Sequence, residues 1–101
     1  MATTTSKNLF RGSANTSTTL LYTVPSSTTT VVTNIAVCNT AASSATFSFT
    51  LNGISLHSGT TIAANTTVYI DLKQVMTASQ QIQGSASAVT VSFHIAGVEI
   101  A

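Results

Sequence analysis

Hydrophobic and polar residues alternate with a period of two along most of this chain. The pattern is clearest in Ala45–Leu51, where Phe47 and Phe49 point to one side and hydroxyl residues to the other. It recurs near the end of the chain, over Ala88–Ile100. A period of two is that of a half-buried β-strand, whereas an amphipathic helix repeats every ~3.6 residues. The chain is therefore predicted to be all-β.

The same period predicts further strands on both sides of Ala45–Leu51. They are expected at Lys7–Gly12, Asn15–Val24, Thr29–Thr40, Thr66–Leu72 and Gln80–Ser85. Thr29–Thr40 is apolar on both faces, which predicts a central strand covered on both sides or one that meets a partner. Residues 73–79 could form a helical turn. About seven or eight strands, with turn signals every ~8–12 residues, predict an antiparallel β-sandwich of jelly-roll or immunoglobulin-like type.

Turn and glycine positions refine this prediction. Asn52-Gly53 lies between apolar residues and predicts a tight hairpin, because both residue types tolerate the positive φ of a type I′ turn. His57-Ser58-Gly59 interrupts the alternation after that hairpin. Gly97 interrupts the last strand and predicts a bulge or a close approach of two backbones. Three predicted apolar faces are Leu20, Tyr22 and Val24; Val31, Thr33, Ile35 and Val37; and Val89, Val91, Phe93 and Ile95.

The first residues differ in character from the rest. Residues 1–6 are small and polar, which predicts a mobile or partner-ordered arm. We therefore divide the chain into an N-terminal arm, residues 1–12, and a β-sandwich domain, residues 13–101. The candidate partner-contact residues lie in this arm and combine two cations with two large apolar side chains: Lys7, Leu9, Phe10 and Arg11.

Charge is scarce in this sequence. Charged residues make up 5% of the chain, against roughly 25% in an average soluble protein. Hydroxyls replace them, since 20 Thr and 14 Ser account for 34 of the 101 residues. The net charge of +1 comes without a basic stripe, which argues against nucleic-acid binding. No apolar run approaches the ~20 residues of a membrane-spanning helix, and no apolar N-terminal segment predicts a secretory signal.

The inventory of reactive side chains argues against an enzyme. Asp71 and Glu99 are the two acidic residues, too few for a carboxylate metal cage. One cysteine and two histidines cannot close a structural zinc site, so no metal or cofactor is expected. Cys38 has no base near it in the sequence and is predicted to be buried and inert. His57 and His94 are expected at the surface or at an interface.

Three segments resemble small β-sandwich proteins encoded among the virion structural genes of tailed bacteriophages. They are Leu21–Pro25 (LYTVP), Val31–Thr40 (VVTNIAVCNT) and Ala45–Phe47 (ATF). The resemblance covers roughly residues 20–100 and rests on strand and turn patterns, not on chemistry. It implies a capsid- or tail-associated structural protein, and it carries no catalytic residues over to this chain.

Low charge and this resemblance together predict a protein that functions within an assembly. A free monomer usually uses charge to stay soluble and to protect its edge strands. We expect a non-enzymatic virion protein that decorates, or cements, the outer surface of the capsid shell and is assembled in the host cytoplasm. Its expected partners are the major capsid protein and copies of itself, as a trimer or another symmetric oligomer. The alternatives are a tail-tip or fibre domain that binds a host-surface glycan, and a tail or connector protein.

Overall fold

The computed structural model describes residues 3–101, which form eight β-strands. Met1 and Ala2, the beginning of the predicted arm, lie outside the described residues. The strands are β1 (Thr4–Ser13), β2 (Thr19–Thr23), β3 (Thr29–Asn39), β4 (Ala45–Leu51), β5 (Ile54–Ile62), β6 (Thr66–Met76), β7 (Gln81–Ala86) and β8 (Val91–Ile100). No helix that could cross a membrane occurs between residues 3 and 101. The predicted all-β class is confirmed.

The strands form two four-stranded antiparallel sheets. Sheet A has the order β1-β8-β3-β6, and sheet B has the order β2-β7-β4-β5. The pairs β4–β5, β3–β6, β2–β7 and β1–β8 are nested around the middle of the chain. The chain is thus one long antiparallel hairpin wrapped into two layers, which is the arrangement of a jelly roll. This order decides between the two predicted types of sandwich.

The tip of the long hairpin is the predicted Asn52-Gly53 turn. Asn52 has φ 52° and Gly53 has φ 78°, and the flanking Leu51 and Ile54 are paired. Positive φ at both turn residues is what a type I′ turn requires, so the predicted hairpin is confirmed. At the other end of the nested pairs, the Thr3 amide donates to the Ala101 carbonyl (2.6 Å), and the Ala101 amide donates back (2.9 Å).

The core lies between the two sheets and is built from the alternating strands. Phe49 of sheet B meets Phe93 of sheet A, with ring centroids 4.4 Å apart. Phe47 packs edge-to-face on Phe49, at 5.7 Å. The inward positions predicted for β4 and for Val91–Ile95 are confirmed, since their apolar side chains are buried, apart from Leu51, which is half-buried against the core. β3 is an interior strand of sheet A, as its apolar pattern predicted.

An extra residue in β3 changes the predicted faces of that strand. The register of β3 against β8 shifts between Val32 and Asn34, which leaves Thr33 unpaired. Val32 is therefore buried together with Ile35, whereas Thr33 is exposed. The prediction that Val31 and Thr33 share the face of Ile35 was wrong, because a bulge reverses the alternation on one side of it.

Four other sequence-based expectations differ in the structure. Leu20 is 48% exposed, because the register of β2 shifts between Leu20 and Tyr22. Val89 is 64% exposed, since it lies in the turn before β8. The helical turn that residues 73–79 could form is absent, because Gln74–Met76 pair with β3 and continue β6. The segment His57-Ser58-Gly59 does not end β5, which accommodates it through register shifts against β4.

The predicted N-terminal arm is largely part of the sandwich. β1 pairs with β8 from Thr4↔Ile100 to Ser13↔Ser92, so the predicted boundary after residue 12 falls inside a strand. Leu9 lies at a register shift and is buried in the core. The arm differs from the prediction because its pairing partner, β8, is at the opposite end of the sequence.

Gly97 is predicted to tolerate no side chain. A Cβ atom there would lie 2.5 Å from the carbonyl oxygen of Val31 and 2.9 Å from Cδ1 of Leu9. Gly97→Ala should therefore lower the free energy of unfolding by about 1–3 kcal/mol through overpacking, measured by urea denaturation. Ala96→Ser, at the neighbouring exposed position, is the control and should stay within about 0.5 kcal/mol of the parent. Equal stability of Gly97→Ala and the parent would contradict this close approach.

Candidate interaction surface

Register shifts in neighbouring strands fall at one level of sheet A. β1 has an extra residue against β8 at Leu9, and β3 has one at Thr33. Between them lies Ala96 of β8, which pairs with Asn8 on one side and Asn34 on the other. Bulges bend a strand and increase its twist. At this level an open groove crosses the outer face of the sheet.

The groove is lined by polar and basic side chains. Arg11 pairs with His94 in the β1–β8 ladder, and Asn8 and Asn34 flank Ala96. A second hollow on the same face is lined by Thr33, Asp71, Leu72 and Lys73. Hydrogen-bond donors and acceptors thus converge on an open surface, a chemistry suited to holding a polar partner.

The charged residues are confined to the strands of sheet A. β1 contains Lys7 and Arg11, β6 contains Asp71 and Lys73, and β8 contains Glu99. The four strands of sheet B contain no Asp, Glu, Lys or Arg. One outer face of the sandwich is therefore free of formal charge, and the other carries exposed ions. Composition revealed the scarcity of charge, but only the strand order reveals that the charges lie on one sheet.

A polar cluster fastens the two sheets together beside the core. The Tyr22 hydroxyl of sheet B donates to Oε2 of Glu99 (2.5 Å) and lies 2.8 Å from Oγ1 of Thr30. Nζ of Lys7 lies 3.3 Å from both carboxylate oxygens of Glu99. The cluster joins β2 to three strands of sheet A, so its role is structural. The sequence did not predict this contact, because Tyr22 and Glu99 lie 77 positions apart in the chain.

The cluster shifts two pKa values in opposite directions. The hydrogen bond from Tyr22, assisted by the Lys7 ammonium and opposed by partial burial, lowers the pKa of Glu99. Burial, with the hydrogen bond to Glu99 and its negative charge, raises the pKa of Tyr22 to about 12, although the hydrogen bond to Thr30 opposes this. Glu99 therefore favours its ionised form in the fold, and Tyr22 its neutral form.

The four predicted contact residues have different roles in the structure. Leu9 belongs to the buried core, and Phe10 is half-buried against it. Lys7 forms the ion pair with Glu99. Arg11 is exposed at the groove and is the member of the set best placed to meet a partner without displacing β1.

The remaining reactive side chains do not form a site together. Cys38 is half-buried and pairs with Thr67 and Ser92, neither of which is a base. His57 lies in sheet B, where Nδ1 is 3.1 Å from Oγ1 of Thr60, while His94 lies in sheet A. Among residues 3–101 no three His, Cys, Asp or Glu side chains cluster as metal ligands would.

Comparisons with known proteins find a likeness in fold. No protein-family model matches the sequence, and no curated protein matches it. The structure is similar to a chain of the T13 IBDV viral particle, with a TM-score of 0.58 and 10% identity over 98% of this chain and 30% of that one. At this identity the likeness shows a shared fold, and this chain spans about 30% of the length of the viral chain.

A second comparison is weaker. Dimeric latent PorU from Porphyromonas gingivalis matches with a TM-score of 0.40 and 15% identity, over 98% of this chain and 10% of that one. This score is too low to bear on the fold. IBDV is not a tailed bacteriophage, so the bacteriophage resemblance of the sequence stays a prediction.

Acid should destabilise the protein through Glu99. Because the folded-state pKa of this carboxyl is lowered, its contribution is present above the unfolded pKa of about 4.3 and is lost as pH falls through the folded pKa. Glu99→Gln should flatten the loss of stability between about pH 5 and about pH 3, measured by urea unfolding at each pH. Asp71→Asn removes the exposed carboxylate on β6 as the control. An unchanged acid limb in Glu99→Gln would contradict the assignment.

Proposed function

We propose that this chain is a non-enzymatic structural protein of a bacteriophage virion that binds the outer surface of the head shell as a decoration, or cement, protein. The observation that carries the proposal is the confinement of all five charged residues to the strands of sheet A. The jelly-roll fold, shared with a chain of a viral particle, supports it. Its partners are the major capsid protein and further copies of itself, and its location is the virion.

The outer face of sheet B is the surface that we assign to the shell. Leu20, Gln83, Thr50 and Ser55 form one row across its four strands. Hydroxyl and amide groups are less costly to bury than ions, and they can still hydrogen-bond to a protein partner. A broad surface of this kind can be covered without leaving an unpaired charge. The exposed ions of sheet A then face solvent or a neighbouring copy.

Strand β1 offers a second contact through Arg11, one of the four residues predicted to contact a partner. Arg11 is exposed on sheet A, on the side away from the face assigned to the shell, and can meet an acidic group of another virion protein while β1 stays in the sheet. Leu9 cannot do so, because the core holds it. An Arg11→Ser variant separates this contact from one made by sheet B.

Added charge on sheet B should abolish binding to the shell. Gln83→Lys/Ser55→Lys would place two cations in the row described above, where burial without partners is costly. We expect more than a tenfold loss of affinity, or above about 1.4 kcal/mol. The measurement is co-sedimentation of the purified protein with shells assembled from the major capsid protein of the same particle.

Two further experiments complete this test. Ser6→Lys/Ser13→Lys adds the same charge to sheet A and should bind like the parent. Gold-labelled particles viewed by electron microscopy should carry the label over the head. A label on the tail, or shell binding that survives the two lysines in sheet B, would contradict the proposal as stated.

A glycan-binding tail-tip or fibre domain is the second candidate, and the groove of sheet A favours it. Amide, imidazole and guanidinium groups line that groove and can hydrogen-bond to sugar hydroxyls. The discriminating experiment is a glycan array probed with the parent and with Asn34→Ala. Binding that needs no capsid and is lost in Asn34→Ala would favour this candidate over a decoration protein.

A further inference from the structure

Three of the four sheet edges carry features that discourage pairing with another chain. β1 has a bulge at Leu9 and two cations, Lys7 and Arg11. β2 is five residues long, has a register shift and is followed closely by Pro25. β5 has two register shifts against β4. Bulges, charge, proline and short length are the usual protection of edge strands.

The fourth edge, β6, is the longest of the four edge strands and carries one charge of each sign. It is 11 residues long, and half-buried and exposed positions alternate from Thr66 to Lys73. It also carries one bulge, since Leu72 and Lys73 together lie opposite Thr33 of β3. Two large apolar residues of β6 face outward, Tyr69 at 72% and Val75 at 65% exposed. An exposed strand of this length and character is a template for pairing.

The outward residues of β6 are complementary to themselves. In an antiparallel pair of two β6 strands centred on Leu72, Asp71 of each copy lies opposite Lys73 of the other. The same register places Tyr69 opposite Val75, so each exposed apolar residue gains a partner. Shifting the centre by one residue either way would remove the charge pairs. Opposite charges and aromatic–β-branched pairs directly across a sheet are stabilising.

We propose that two copies of this chain associate through β6, antiparallel about a two-fold axis at Leu72, and so join two sheets A into one continuous eight-stranded sheet. The association is isologous, because the same strand serves both copies. The inference rests on the proposed function for its setting, since copies of the chain are among the partners proposed there. It leaves the outer faces of both sheets B uncovered.

Charge exchange tests this pairing on the purified protein, without any shell. Lys73→Glu should weaken the dimer about tenfold or more, because like charges then face each other twice across the axis. Asp71→Lys should do the same. The exchange Asp71→Lys/Lys73→Asp should restore association to near the parent level, since the pairs re-form with reversed sign. Dimer dissociation constants come from sedimentation equilibrium, and raising the salt should weaken the parent dimer.

Arg11→Glu changes a charge on the opposite edge of sheet A and should leave association unchanged. A parent that stays monomeric up to millimolar concentration would overturn the pairing. So would a charge exchange that fails to restore association in a folded variant. Because shell binding is measured separately with variants of sheet B, failure here does not count against the shell proposal, and the reverse also holds.

Discussion

The nested antiparallel pairing around Asn52-Gly53 is the constraint on which the rest of the structure depends. With the tip of the hairpin fixed by two residues at positive φ, each later pair joins segments farther apart in the chain. Wrapping this ribbon brings β3 beside β8 and β4 beside β7, which closes the two layers over the core. The pairing that begins at this turn therefore determines which side chains face outward on each sheet.

The alternation of apolar and polar residues predicted those strands and turns that depend only on neighbouring residues in the sequence. Ala45–Leu51, its turn and the inward face of Val91–Ile95 were predicted because period two and turn chemistry are visible within a few residues. Bulges at Leu9 and Thr33 were not, because an extra residue exists only relative to a partner strand. The groove of sheet A depends on those bulges and was equally invisible in the sequence.

Charge placement shows the same division between local and non-local information. The sequence showed that charged residues are few, but not that Lys7 and Glu99, 92 positions apart, form an ion pair. Asp71 and Lys73 are two residues apart in the sequence, but only the structure shows that they lie on an edge strand, where this spacing can match a second copy. An ion pair at a surface contributes little to stability. A surface charge has more influence on which strands can pair, because like charges directly opposite each other across two strands are destabilising.

The mutual hydrogen bonds of Thr3 and Ala101 hold residues 3 and 101 next to each other, which affects how this fold can be inserted into another protein. A unit whose first and last strands lie side by side needs little connecting length to sit within a loop of a larger protein. The same proximity permits circular permutation, with a short linker joining residues 3 and 101 and new ends opened in a surface loop. The sandwich can therefore be inserted into a loop of another protein without separating its first and last strands.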